Sequence, residues 1–353
     1  VYKRQALERI GCLFVAGART PQSRRHTERA SNAYSHRILI ENGRAVGVEF
    51  RTPRGVETAR AKAEVIVSGG VYGSPQLLLL SGIGPGAHLK EMGIDVAHDL
   101  PGVGANLHDH FNTYVAWRAT KKNTLNDLYR SPLRQLAAGI QYVTRRNGPL
   151  TTIGTIAGIL TRSDPRFDQP DLQINTYIWS IETRDRTGMH PHKFPGFSMA
   201  PVHLRPEGRG RVSLKSRDSL APPKIEFKFL ESAGDIDAML YGIRLARKIA
   251  EQPALKPYVA EEVVPGTAIQ SEDQMIEDIR NRGVSNLHPV GTCRMGIGQD
   301  AVVDPRLRVH GVKGLRVADA SIMPQVVGGN TNAPSIMIGE RCAAMALDDA
   351  RLG

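Results

Sequence analysis

The sequence predicts a mixed fold, α/β in one lobe and α+β in the other. Three observations lead there. A buried strand runs through small residues into a helix near residue 70. Strand-like runs then follow one another through the middle of the chain with few helices between them. After residue 285 the chain returns to the Gly- and Pro-punctuated character of its first part. The expected first lobe is Rossmann-like and closed by both chain ends, 37–110 and 285–353. The expected second lobe, 111–284, is an antiparallel sheet flanked by helices. With 353 residues, 41% of them hydrophobic, the chain is long enough for two lobes, because single cores stop growing near about 250–300 residues.

The chain starts with Val1 instead of Met, and VYKRQ looks like translated adapter sequence, so the protein is expected to begin upstream. Residues 6–36 show neither helical nor strand period. Residues 1–36 are therefore read as a leader, either frameshifted or an exposed basic loop. From Arg37 onward, β-rich runs alternate with the turn signals Asn42-Gly43 and Pro53 to Gly55. The buried strand EVIVSGG ends in Ser68, Gly69 and Gly70, and the helix of SPQLLLLSG follows with Pro75 expected in its first turn. Such a strand, turn and helix let backbone approach a dinucleotide. GIGPG (82–86) lacks a following GKS or GKT and reads as a helix stop, and DLPGVGANLHDH (99–110) reads as a loop. In the second lobe DLQINTYIWS, FSMAPVHLRP, GRVSLKS and KIEFKFL are strand-like. Ile236, Met239, Leu240, Ile243, Leu245, Ala246 and Ile249 mark one helical face.

Composition narrows the function. The net charge of +11 would suit nucleic acid, but the first 60 residues hold twelve of the 46 basic and five of the 35 acidic side chains. The remaining 293 residues are nearly balanced, which argues against a nucleic-acid partner. No apolar run approaches the roughly 20 residues of a membrane span, so no integral membrane segment is expected. Cys12, Cys293 and Cys342 are too few and too widely spaced for a disulfide framework or a CxxC pair, and no HExxH occurs, so no metal is expected. A reducing, cytoplasmic setting is the default.

Three segments could carry chemistry. Asp319 closes a short strand in GLRVADAS, where a carboxylate either accepts from ribityl or ribose hydroxyls or caps the next turn. NTNAPSIMIGE puts Asn332 at an expected N-cap and Pro334 in the first turn of a helix whose positive end could stabilise an anionic reduced flavin, although any capped helix looks similar. His288 lies in the loop NLHPVGT instead of on an amphipathic face, and its near-neutral pKa suits proton transfer. Cys293 reads as structural, since Arg294 and Met295 form no acyl-transfer signature.

GSPQLLLLSGIGP, DLPGVGANLHDH, NLHPVGTCRMG, VVDPRLRVHGVKGLRVADASIMP and GGNTNAPSIMIGE, in this order, resemble the glucose-methanol-choline oxidoreductase family over residues 37–353. Asn in NTNAP, where other branches place a second His, is similar to the choline-dehydrogenase-like branch. The resemblance implies FAD and oxidation of a primary alcohol to an aldehyde, with a flavin-binding lobe and a substrate lobe. His288 matches the family's base, which accepts the hydroxyl proton while hydride passes to flavin N5. Asn332 matches the second catalytic position, while Asp319, Ala320, Leu287, Asn330 and Pro334 match positions around the flavin. The family's Gly-rich phosphate-binding turn does not occur in these residues, so the resemblance implies an amino-terminally truncated fragment. A small alcohol is the implied substrate and oxygen or a quinone the implied electron acceptor. Choline would need a carboxylate and aromatic rings such as Glu182, Trp179 and Tyr177. The alternative is a hydroxynitrile-type lyase on the same scaffold, and a third possibility is a protein that kept the scaffold without catalysis.

Overall fold

The computed structural model of the chain describes residues 12–16, 27–152, 154–185 and 187–352. Among the described residues run seven α-helices: α1 (Gly70–Leu80), α2 (Gly86–Glu91), α3 (Leu125–Tyr129), α4 (Pro132–Arg145), α5 (Ala233–Ala250), α6 (Glu272–Arg282) and α7 (Asn332–Leu352). The chain divides into two units. Val1–Asp109, Arg209–Lys228 and His288–Gly353 form the first, and His110–Gly208 and Phe229–Leu287 the second.

In the first unit, Cys12–Ala16 and Thr27–Ser31 pair antiparallel. Part of the segment read as patternless is thus a two-stranded ribbon, and the orderly sheet begins at Tyr34; residues 1–11 and 17–26 lie outside the described residues. Tyr34–Glu41, Arg44–Thr52 and Gly55–Arg60 form a three-stranded antiparallel sheet. Its first turn uses Asn42 and Gly43, both with positive φ (50° and 72°), as a tight two-residue hairpin requires. Val65–Val67 pairs in parallel with Leu315–Val317, which brings two ends of the unit together, and passes through Ser68 and Gly69 into α1. Val67, Leu78, Leu79, Ile83, Val302, Val317 and Ile338 are buried around this strand pair. Arg316 is a cation in the middle of that core. It is tolerated because Glu64 (2.7 Å), Asp349 (2.5 Å) and the Arg306 carbonyl (2.6 Å) all accept from it, and Asp349 ties the last turns of α7 to the strand.

Two expectations change here. Arg211–Ser213 and Lys224–Glu226, expected in the second lobe, form a hairpin of the first unit. Backbone bonds between Leu107 and Gly210 in both directions, and from Val212 N to the Gly104 carbonyl, attach it there. A Cβ on Gly104 would stand 2.1 Å from the Val212 carbonyl oxygen, so only glycine admits this approach. Pro75, expected in the first turn of α1, sits in its interior. The amide that proline lacks would have bonded the Val71 carbonyl, and Thr292 Oγ1 donates to that carbonyl instead, at 2.6 Å. A helix break is thus avoided by a side chain 221 positions away in the sequence.

The second unit is built on a seven-stranded antiparallel sheet whose main path runs Thr155–Thr161, Leu172–Tyr177, Gly196–His203, Val115–Ala119 and Val259–Val264. Phe111–Asn112 and Val284–Ser285 join it beside Gly196–His203. Every residue of Gly196–His203 is buried, which marks it as the central strand. α5 packs its Met239, Ile243 and Ala246 against Leu172, Ile174 and Met199, and Trp117 stacks on Phe197 at 5.2 Å between ring centroids. α5 and α6 start from Ser232 and Ser271, whose hydroxyls accept from the third helical amide.

Candidate active site

The loop 106–109 staples several segments of the first unit together. Asn106 takes a left-handed backbone (φ 59°), which aims its side-chain amide at the carbonyls of Gly291 (3.3 Å) and Pro324 (3.2 Å). His108 is buried and its ring bridges two segments of the chain. Nδ1 lies 2.7 Å from the Asn106 carbonyl and Nε2 accepts from Val326 N at 3.0 Å. This pattern fixes the neutral ring with its proton on Nδ1, and burial pushes its pKa down to about 4. The His108 backbone also pairs with Val290 in both directions. Asp109, buried, accepts from His288 N through Oδ1 at 2.9 Å.

His288 itself is half-buried, and its pKa is lowered by that burial. A lowered pKa keeps the ring unprotonated at neutral pH, as a proton acceptor must be. The residue before it, Leu287, holds a positive φ of 65° that a branched side chain rarely adopts, and its amide donates to Ser285 Oγ at 3.1 Å. Leu287 is 54% exposed.

Asp319 stands at the carboxyl end of Leu315–Val317, at the start of a one-turn helix. In the structure the Asp319 side chain caps this turn. Oδ1 accepts from Ser321 N (2.7 Å), and Oδ2 accepts from Gly70 N (3.0 Å) and Ser74 Oγ (2.5 Å). Three protein donors thus occupy most of its lone pairs and lock the turn to the start of α1. Behind it, Cys293 N donates to the Ser321 carbonyl and Met295 N to that of Ile322, so the chain after His288 is laid along the same turn. The Cys293 thiol is fully buried, and burial raises its pKa far above the usual range, which leaves it inert.

At the start of α7, Thr331, not Asn332, takes the cap position, since its carbonyl accepts the first helical bond from Ser335 N (3.1 Å). Asn332 is the first helical residue and is exposed, as is Asn330, while Ala320 and Pro334 are half-buried. His108 links this region to the His288 loop: its backbone pairs with Val290, two residues after His288, and its ring holds Val326, four before Asn330. Tyr177, Trp179 and Glu182, weighed as ammonium partners, belong to the second unit; the two rings are half-buried and Glu182 is exposed. Asn106, His108, Asp109, Ser74 and Thr292 were not singled out from sequence, because their partners lie far away along the chain. The Gly-flanked density of polar residues in GANLHDH was the one available signal.

Family models described as GMC oxidoreductase match residues 20–112 and 206–339. The chain is 40% identical over 325 residues to an oxygen-dependent choline dehydrogenase of Rhizobium johnstonii, covering 92% of this chain and 58% of that protein. It is 38% identical over 336 residues to an alcohol dehydrogenase [acceptor] of Pseudomonas putida, covering 92% of this chain and 60% of the relative. Among solved structures, formate oxidase superposes with a TM-score of 0.82 at 28% identity, over 90% of this chain and 60% of that one. The chain therefore spans about three-fifths of the length of the relatives it matches. Its ordered motifs fall largely within the matched ranges, and the chain belongs to the GMC oxidoreductase family.

Proposed function

We propose that the protein containing this chain is a flavoenzyme that oxidises a primary alcohol to an aldehyde, with His288 accepting the hydroxyl proton. The observation that carries this reading is the treatment of His288. Its amide is clamped by a buried carboxylate, its ring is kept neutral by burial, and its loop is stitched to the segment leading into α7. Holding a base in one place while keeping it unprotonated is what proton abstraction from an alcohol requires. Asn332, exposed at the first position of α7, is suited to donate a hydrogen bond to the substrate oxygen.

The ring end of FAD fits features of these residues. Amides at the start of α7 lack helical partners and point along a positive helix end, suited to negative charge on the pyrimidine side of a flavin. Gly70 has a positive φ of 75° and open space where a Cβ would stand, leaving backbone accessible at the start of α1. No G-x-G-x-x-G turn occurs in the sequence, so these residues account for the ring end and not for the phosphates. Leu287, Ala320, Asn330 and Pro334 would line the ring, and Asp319 would act by holding the Gly70 and Ser321 amides in place. When bound, the flavin supplies the hydride acceptor.

The test is His288→Ala in the complete, flavin-loaded protein. Loss of a general base lowers the rate of flavin reduction by alcohol about 100-fold or more, with the flavin still bound. A near-normal rate would remove His288 from the role.

A further inference from the structure

α4 is built inside out. Leu133, Leu136, Ile140 and Val143 recur at intervals of three, four and three residues, so they form one stripe along the helix. In a core-facing helix that stripe would be buried, yet here these residues are 80%, 62%, 57% and 69% exposed. The inward side carries Ala138, Gln141 and Arg134, which line a small cleft with Thr124, Leu128 and Ile178. Arg134 is turned inward far enough to donate to the Lys122 carbonyl at 3.2 Å. The exposed apolar surface continues at both ends, through Tyr129 before the helix and Leu150 after it. Scattered exposed leucines need no explanation, but a full helical stripe of them marks a surface that something covers.

The charges around α4 say what covers it. Residues 118–146 contain seven Lys or Arg and one acidic residue, Asp127; Arg118 pairs with Glu261 at 2.7 Å and Arg134 is turned inward, which leaves Lys121, Lys122 and Arg130 before the stripe and Arg145 and Arg146 after it. Asp127 is engaged at the start of α3, where it accepts from Thr124 N at 3.0 Å. An apolar stripe bracketed by cations fits an anionic lipid surface, where the leucines enter the acyl boundary and the cations meet headgroup phosphates. A second copy of the chain fits less well, since a two-fold contact through this face would set the same cations against each other. Among the described residues no helix is long and apolar enough to cross a membrane, so α4 would lie in the interface.

We infer that α4 docks this protein onto anionic membrane surfaces. The experiment is flotation of the complete protein with phosphatidylcholine vesicles, with and without phosphatidylglycerol. Binding is expected only with phosphatidylglycerol, weakened by salt, and Leu136→Gln with Ile140→Gln should lower it roughly tenfold or more. Both positions are exposed, so the fold should survive. As an independent readout, Leu136→Trp should shift its emission to the blue when anionic vesicles are added. Absence of wild-type binding to anionic vesicles overturns the inference, as does a double variant that floats like wild type. A wild-type dimer that the double variant dissociates, without vesicle binding, would assign the face to a second copy instead.

Discussion

Thr292→Val removes one hydroxyl from a fully buried site, and its consequence follows from Pro75. The Thr292 hydroxyl is the donor to the Val71 carbonyl, at 2.6 Å, in place of the amide that proline lacks. A buried carbonyl left without a partner costs about 1–3 kcal/mol, so we expect a loss of about 2 kcal/mol in the unit holding α1. Trp117 and Trp179 both lie in the other unit, so intrinsic fluorescence does not report this change. Cys293 does, because it adjoins Thr292 and its thiol is fully buried. Its labelling by a thiol reagent, followed by peptide mass, should accelerate roughly 30-fold for 2 kcal/mol of easier opening. In a Pro75→Ala background an amide returns at position 75 and can reach the Val71 carbonyl. There Thr292→Val should cost less than about 1 kcal/mol, an acceleration of about fivefold or less. Equal acceleration in both backgrounds would mean that the hydroxyl does not replace the missing amide.

Other consequences are as direct. Asp109→Ala deprives the His288 amide of a carboxylate partner at 2.9 Å; a hydrogen bond of that kind contributes about 1.5–3 kcal/mol, so exchange of the His288 amide should speed up roughly 10- to 100-fold, and unchanged exchange would show that the clamp does not operate. Acid should weaken the first unit through His108: its folded pKa of about 4 lies below the unfolded value of 6.5, so the unfolded chain takes up the proton first. Stability is then full above about pH 6.5 and falls by about 3 kcal/mol as pH drops towards 4, and thermal melts should show this slope flattened by His108→Gln. Burial lowers the pKa of His192, His203 and His288 as well, with the same sign.

Local features were the readable ones. The passage from Val65–Val67 into α1 is written in consecutive residues, as are the turn at Asn42-Gly43 and the period of α5, so they could be read without the fold. Asn332 was placed one position early because Thr331 caps as well as asparagine does, and only the Ser335 bond decides between them. What stayed hidden depends on partners far away in sequence. Two short strands look alike whichever sheet they join, so nothing local assigned Arg211–Ser213 to the unit of Leu107. Pro75 reads as a helix start until Thr292 is seen beside Val71. Asp319 meets Gly70 and Ser74 across 249 and 245 positions, so neither partner could be read from the residues around it. The period of α4 was likewise present in the residues, but period alone does not say which side faces the protein.

The proposed transfer of hydride from an alcohol is checked by the visible spectrum of the complete, flavin-loaded protein under anaerobic conditions. With a panel of primary alcohols that includes choline, the flavin bands should bleach with at least one of them, and this bleaching should be lost in His288→Ala. Bound flavin that no alcohol bleaches would rule out alcohol oxidation at this site and favour a lyase or a non-catalytic scaffold.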